Sequence, residues 1–118
     1  MIKIKRVFEK KSVSDGFRVL VDRLWPRGLS KEGLRLDLWA KELAPSAALR
    51  NYYHHDPKLW AGFQIRYRAE LKKPAAASLL ETIVNIARKK TVTLLFASRE
   101  PLKNNAAVLQ KIITARLK

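Results

Sequence analysis

Val19-Leu20-Val21-Asp22-Arg23-Leu24-Trp25-Pro26-Arg27-Gly28 runs an apolar strand directly into a turn crowded with charged and aromatic side chains. The first three residues are apolar without a break, which is typical of a central strand covered on both faces. The proline restricts the backbone of the turn, and the two arginines can pair with the oxygens of an anion. The stretch therefore predicts a buried strand with a binding site at its end.

Strand and helix patterns alternate along the rest of the chain. Residues 2–5 alternate with period two, residues 17–24 form a second strand pattern, and residues 92–96 form the clearest strand after it. A third short strand over residues 39–43 also fits the sequence. Because strands separated by helices are typical of α/β proteins, we predict a small three-layer α/β fold with a largely parallel central sheet and helices packed on it.

Capping residues and apolar stripes mark the helices between these strands. Ser46 is a suitable N-cap for a short helix through Tyr53, and Asp56 followed by Pro57 indicates the start of the next helix. One of the two asparagines at 104–105 can cap the last helix. Apolar residues at spacings of three and four follow these starts, the clearest being Trp60, Phe63, Tyr67 and Leu71. We expect the stripes to form the core of a single domain spanning residues 1–118.

The composition restricts the class of protein. Twenty-five Lys and Arg against ten Asp and Glu leave a formal charge of +15 on 118 residues, which favours phosphate-bearing small molecules, nucleic acid or acidic partners. The chain has no cysteine, so it offers neither disulfides, thiolate metal ligands nor a cysteine nucleophile. No secretory signal and no apolar run of membrane-spanning length occur. We therefore expect a basic cytoplasmic protein with no membrane partner.

Polar side chains follow three of the predicted elements at points that converge if the strands are parallel neighbours, because ligands bind beyond the carboxyl ends of such strands. Guanidinium groups grip phosphate or carboxylate oxygens in a fork, and helix starts add N–H donors. Trp25 is the one tryptophan whose position suggests a ligand platform. The predicted ligand-binding residues are Arg23, Trp25, Arg27, Ser46, Arg50, Ser98, Arg99 and Asn105.

Two residues are candidates for acid/base chemistry. Asp22 can act as a base or orient an arginine, and His55 titrates near neutrality beside a helix start. The sequence contains no glycine-rich phosphate loop and no His-Glu-x-x-His motif, and its two adjacent histidines lack a third partner. We therefore predict neither a cofactor nor a metal site.

Two alternatives compete with an anion-binding cleft. The distributed cations suit a regulatory nucleic-acid-binding module, which would bind phosphates in a salt-dependent way. The charged loops can equally belong to a structural or interaction protein, in which pairs such as Asp22 with Arg99, or Glu100 with Arg23, only lock the fold. Neither the oligomeric state nor a reaction follows from the sequence.

The same residues resemble the YeaO-like group of bacterial proteins, within a larger set of domains of unknown function. The resemblance is carried by the motif at 21–28, by Lys41-Glu42-Leu43-Ala44-Pro45-Ser46, by His55-Asp56-Pro57 and by the segment from Thr93 to Glu100 with its following asparagines. It implies a small three-layer α/β fold and no established reaction. Distant relatives carry a cysteine and a His-Arg pair after the last strand. Here Ser98 and Asn104-Asn105 stand in that region, so thiol chemistry does not transfer to this chain.

Overall fold

Four parallel strands form the centre of the computed structural model, which describes residues 1–54 and 56–118. The strands are β1 (Ile2–Arg6), β2 (Phe17–Leu20), β3 (Leu38–Trp39) and β4 (Val92–Phe96), in the order β1-β4-β2-β3. β4 is central and pairs with β1 on one side and β2 on the other. The predicted α/β fold with a parallel sheet is confirmed.

Five α-helices connect and flank the strands. Their bounds are α1 (Lys31–Leu34), α2 (Ala47–Tyr53), α3 (Trp60–Glu70), α4 (Pro74–Ala87) and α5 (Asn105–Leu117). Short 3-10 turns cover Val13–Asp15, Lys41–Leu43 and Pro57–Leu59. The predicted caps are confirmed at Ser46, whose hydroxyl accepts from the Leu49 N–H, and at Asn104, whose side chain accepts from the Ala107 N–H.

The two faces of the sheet are covered unequally. Alternate residues of the strands, among them Val19 and Leu94, join the large core formed with α2 to α5. The opposite face places Leu20 and Leu95 in a smaller cluster with Leu34 of α1 and the surrounding loops. Since strand side chains alternate between faces, the consecutive apolar residues Val19-Leu20 of β2 and Leu94-Leu95-Phe96 of β4 follow from burial on both sides.

The face that carries α1, here called the helix-poor face, also holds a buried ion cluster around Asp15. Asp15 is inaccessible to solvent. Its carboxylate accepts from Arg18 Nη1 at 2.6 Å and from Lys5 Nζ at 3.0 Å. Burial alone would raise the pKa of Asp15, but hydrogen bonds from the Ser12 N–H, Lys5 and Arg18 outweigh it and lower that pKa to about 2. Arg18 also donates to the Leu34 carbonyl, so the cluster attaches α1 to the sheet.

Three predicted boundaries are corrected. β2 ends at Leu20 instead of residue 24; Val21 still donates to the Leu95 carbonyl, but the chain then turns away from the sheet. The third strand covers only Leu38–Trp39, because residues 41–43 tighten into a 3-10 turn. Asp56 caps a 3-10 turn, and α3 itself begins at Trp60. Each miss lies where an irregular turn replaces a regular pattern.

Candidate functional site

A cavity opens where the connections that follow β2 and β4 leave the sheet in opposite directions. From β2 the chain crosses the helix-poor face through α1 to the outer strand β3, whereas from β4 it continues into α5, which packs against β1. The turns after these two neighbouring strands therefore diverge. Such divergence creates a crevice at the carboxyl ends of an open parallel sheet, where ligands of α/β proteins bind.

The cavity has a volume of about 600 Å³, within the usual range for small-molecule sites. The turn after β2, the α2 segment, one residue of α3 and the turn leading into α5 all contribute to it. Its walls combine cationic, amide and aromatic side chains. The lining residues used below are Asp22, Arg23, Trp25, Arg27, Arg50, Tyr53, Phe63, Ser98 and Asn105.

The arginine rim consists of Arg23, Arg27 and Arg50, whose side chains are exposed and border the cavity. Gly28, which follows Arg27, adopts φ +80°, a conformation that suits glycine and allows this tight turn. Within residues 1–54 and 56–118, none of these three guanidinium groups forms an ion pair with a carboxylate. Three cations without a close ion-pair partner therefore border one opening, and the charge of Arg50 also acts on the Asp22 carboxyl.

The acceptor floor consists of Asp22 and Asn105. Asp22 accepts a hydrogen bond from the Ala97 N–H at 2.8 Å and one from Asn105 Nδ2 at 3.1 Å. Asn105 Nδ2 donates its second bond to the Val21 carbonyl at 2.9 Å. Burial raises the pKa of the Asp22 carboxyl above its usual value, while these bonds and the charge of Arg50 act in the opposite direction.

Trp25 lines the cavity but is also packed by its neighbours. Its indole N–H donates to the Leu29 carbonyl at 2.6 Å, and its ring meets that of Trp39 edge-on at 5.3 Å between centroids. The Trp39 indole donates to the backbone carbonyl of Asp22 at 2.8 Å. The two indoles thus hold the turn after β2 in place.

The structure does not bring every predicted residue to the cavity. Ser46 is occupied as the N-cap of α2 and donates its hydroxyl to Glu70 at 2.6 Å, away from the lining. Arg99 is exposed and does not line the cavity. Ser98 does line it, and its hydroxyl accepts from the Glu100 N–H at 3.0 Å. The predicted acid/base residue His55 lies outside the described residues.

The predicted locking pair of Asp22 and Arg99 is absent from the described part of the chain. Asp22 bonds instead to a backbone N–H and to an amide, as given above. The loops at this edge are therefore fastened by Asp22 through neutral donors.

Sequence reasoning missed several lining residues, chiefly Asn51 on α2, His54 directly after it, and the aromatic pair Tyr53 and Phe63. His54 is the C-cap of α2 and its N–H donates to the Arg50 carbonyl, a contact at the helix end that brings it near Arg50. Phe63 was assigned only to the core stripe, because a core residue that also borders a cavity has no separate sequence signal.

The described residues contain neither a metal-binding cluster nor a membrane-spanning helix. Among the described residues, no three His, Asp or Glu side chains come together in a way that could hold a metal ion. In the same part of the chain, no helix combines the length and apolar character needed to cross a bilayer.

The chain is similar to proteins from several bacteria. It is 42% identical over 108 residues to the uncharacterized protein YeaO of Escherichia coli (strain K12), a match covering 92% of each chain. It is 38% identical over 115 residues to an uncharacterized protein of Mycobacterium tuberculosis (strain H37Rv), covering 98% of this chain and 95% of that one. An uncharacterized protein of Mycobacterium bovis matches with the same identity and coverage.

No solved structure matches the chain significantly. A family model described as "Inactive DUF488-N3 subclade" matches residues 1–118 in full. With that match and the relatives above, the YeaO-like resemblance is confirmed. The chain therefore belongs to the family described as the "Inactive DUF488-N3 subclade".

Proposed function

We propose that this protein binds an anionic, phosphate-bearing small molecule in the cavity at the carboxyl ends of β2 and β4. The observation that carries the proposal is the arginine rim: Arg23, Arg27 and Arg50 border one cavity of about 600 Å³, and none pairs with a carboxylate in the described chain. Guanidinium groups without a carboxylate partner keep their donors for the oxygens of a phosphate, which they bind in a fork.

The start of α5 adds to the positive potential of this site. The helix begins at Asn105, beside the cavity, and its first N–H groups lack acceptors within the helix. Such a terminus favours an anion, and here it acts together with three side-chain cations. The helix start therefore adds to the positive potential of the cavity, while the arginine rim supplies the donors that bind the anion.

We propose binding without turnover as the default activity. The family description calls the subclade inactive, and Ser98 stands after β4 in the region where the family resemblance implies a cysteine in distant relatives. Asp22 remains the residue best placed to act as a base, since it lines the cavity and its pKa is raised by burial.

The proposal is tested by calorimetric titration with inorganic phosphate and with phenyl phosphate at fixed ionic strength. We expect Arg23→Ala and Arg50→Ala each to weaken binding at least about 10-fold, the loss of one charge-assisted bond of about 1.5–3 kcal/mol. Arg68→Ala is the matched control, because Arg68 is exposed on α3 outside the cavity and its substitution removes the same charge. Equal weakening by all three variants would show that only the net charge attracts the anion, and the proposed site would be wrong.

Two further variants, Arg99→Ala and Ser46→Ala, distinguish the cavity from the site predicted by sequence alone, which included both residues. Neither residue lines the cavity, so both variants are expected to bind as the Arg68→Ala control does. A loss with Arg99→Ala equal to that with Arg23→Ala would extend the site onto the loop after β4.

A further inference from the structure

The cavity has opposite chemical character at its two ends. The arginine rim offers only donors and positive charge, because a guanidinium group cannot accept hydrogen bonds. The acceptor floor, formed by the Asp22 carboxylate and the Asn105 amide, lies deeper: Asn105 is only 8% exposed, whereas the rim side chains are exposed. A ligand that fills the cavity must therefore present an anion outward and a hydrogen-bond donor inward.

The orientation of the Asn105 amide is fixed by its neighbours. Its nitrogen faces the Val21 carbonyl and Asp22 Oδ1, both of which are acceptors, so both N–H bonds are used there. The amide oxygen is then the group left over. No side-chain polar atom in the described chain is both fully buried and without a partner, so this oxygen remains accessible at the cavity that Asn105 lines.

The Asp22 carboxylate lies beside the Asn105 amide and can accept further hydrogen bonds. Each of its carboxylate oxygens accepts one described bond, from Ala97 N–H and from Asn105 Nδ2, while a carboxylate offers about four acceptor positions. Asp22 and Asn105 are joined by a hydrogen bond, so their free acceptors are neighbours. Two adjacent acceptors match the two N–H donors of one amino group better than a single hydroxyl.

Aromatic and apolar side chains line the cavity together with these polar groups. Trp25, Tyr53 and Phe63 all contribute to the lining, and the rings of Tyr53 and Phe63 lie 4.6 Å apart between centroids. Tyr53 and Phe63 are nearly buried, so the partly exposed indole of Trp25 is the ring against which a flat aromatic group can bury area. A lone phosphate would use none of this surface.

We propose that the ligand is an aromatic phosphate that carries an amino group at the end remote from its phosphate, the plan of a nucleoside monophosphate with an aminated base. This inference rests on the proposed function, because it assigns the phosphate to the arginine rim. The amino group donates to Asp22 and Asn105, and the ring lies against the indole of Trp25.

The test compares two probes that differ only in the amino group, adenosine 5′-monophosphate and purine riboside 5′-monophosphate, by calorimetric titration of the full chain. We expect the aminated nucleotide to bind at least about 10-fold more tightly. Asp22→Asn should remove the preference between the two nucleotides.

The outcomes separate this inference from the proposed function. Equal affinity for the two nucleotides, or binding of inorganic phosphate without either nucleotide, overturns the inference and leaves the anion site in place. Binding of none of the three probes overturns both. Because the probe comparison uses the unaltered protein, it decides the question even if Asp22→Asn does not fold.

Discussion

Asp22 Oδ1 accepts a hydrogen bond from Asn105 Nδ2 at 3.1 Å, although 83 positions separate the two residues along the chain. The bond joins the turn after β2 to the first residue of α5, and Asp22 Oδ2 secures the Ala97 N–H beyond β4 at 2.8 Å. A single carboxylate thus fastens three segments at the cavity. The acceptor floor therefore also stabilises the fold at this edge of the sheet.

We expect Asp22→Ala to lower the free energy of unfolding by about 1–3 kcal/mol, because the Ala97 N–H and the Asn105 amide lose their shared acceptor. Urea denaturation followed by circular dichroism measures this change. Glu32→Ala is the control, since Glu32 is an exposed carboxylate on α1. A change below about 0.5 kcal/mol, typical of a surface substitution, would show that Asp22 does not fasten these segments.

Asp15 predicts an acid-sensitive contribution to stability. Its pKa is lowered from 3.8 to about 2 in the folded protein, so the unfolded chain takes up the proton at higher pH. The stabilisation is complete above about pH 4 and is lost as the pH falls towards 2. The difference in unfolding free energy between wild type and Asp15→Asn should therefore shrink across this window.

The comparison is made by urea denaturation at several pH values between 2 and 6, with Glu32→Gln as the exposed control. A difference between wild type and Asp15→Asn that stays constant across the window would contradict the lowered pKa.

Two glycines with positive φ predict contrasting substitutions. At Gly16, with φ +65°, a Cβ atom would clash with the Thr91 carbonyl oxygen, whereas at Gly28, with φ +80°, no atom of the described residues beyond its chain neighbours lies within 4 Å of such a Cβ. Gly28→Ala should cost about 1–2 kcal/mol, the strain of the left-handed conformation alone. Gly16→Ala adds a backbone clash and should cost about 3 kcal/mol or more. Thermal denaturation of the two variants measures the contrast, and equal costs would contradict it.

The nucleic-acid alternative predicts a different dependence on salt and on position. Each phosphate neutralised by Lys or Arg adds about 0.9 to the slope of log K against log salt for duplex DNA. If the cavity binds a small anion, Arg23→Ala should weaken DNA binding no more than Arg68→Ala does. Fluorescence anisotropy with a labelled duplex at several salt concentrations makes this comparison. A selective loss with Arg23→Ala and a steep slope would favour nucleic acid at the same surface.

Local chemistry explains which parts of the fold were predictable. The caps at Ser46 and Asn104 depend on a side chain and a backbone N–H three positions away, so the sequence carries the whole interaction. The apolar run of residues 92–96 likewise reflects burial of β4 on both faces. The short strand Leu38–Trp39 was misplaced because its pairing with β2 depends on distant residues, not on a local pattern.

The site was predictable only in part, because some of its contacts join residues that are distant along the chain. Arg23 and Arg27 follow a buried strand, and the carboxyl end of such a strand is a general ligand position. The sequence makes Ser46 an equally good candidate for the site, yet its hydroxyl donates to Glu70 on α3. Tyr67 shows the same dependence on distance, since its buried hydroxyl donates to the Leu43 carbonyl and holds the segment before α2 in place. Neither partner is visible from spacing.

The sequence by itself determined the element types, the parallel α/β class, the family and the cationic turn after β2, because these follow from periodicity, capping chemistry and residue identity. Only the tertiary structure decided that Arg50 joins that turn, that Arg99 stays outside the cavity, and that Asp22 faces Asn105. These relationships depend on the strand order β1-β4-β2-β3, which brings together segments that are remote along the chain. Contacts of that kind are set by the packing of whole elements, and no local pattern records them.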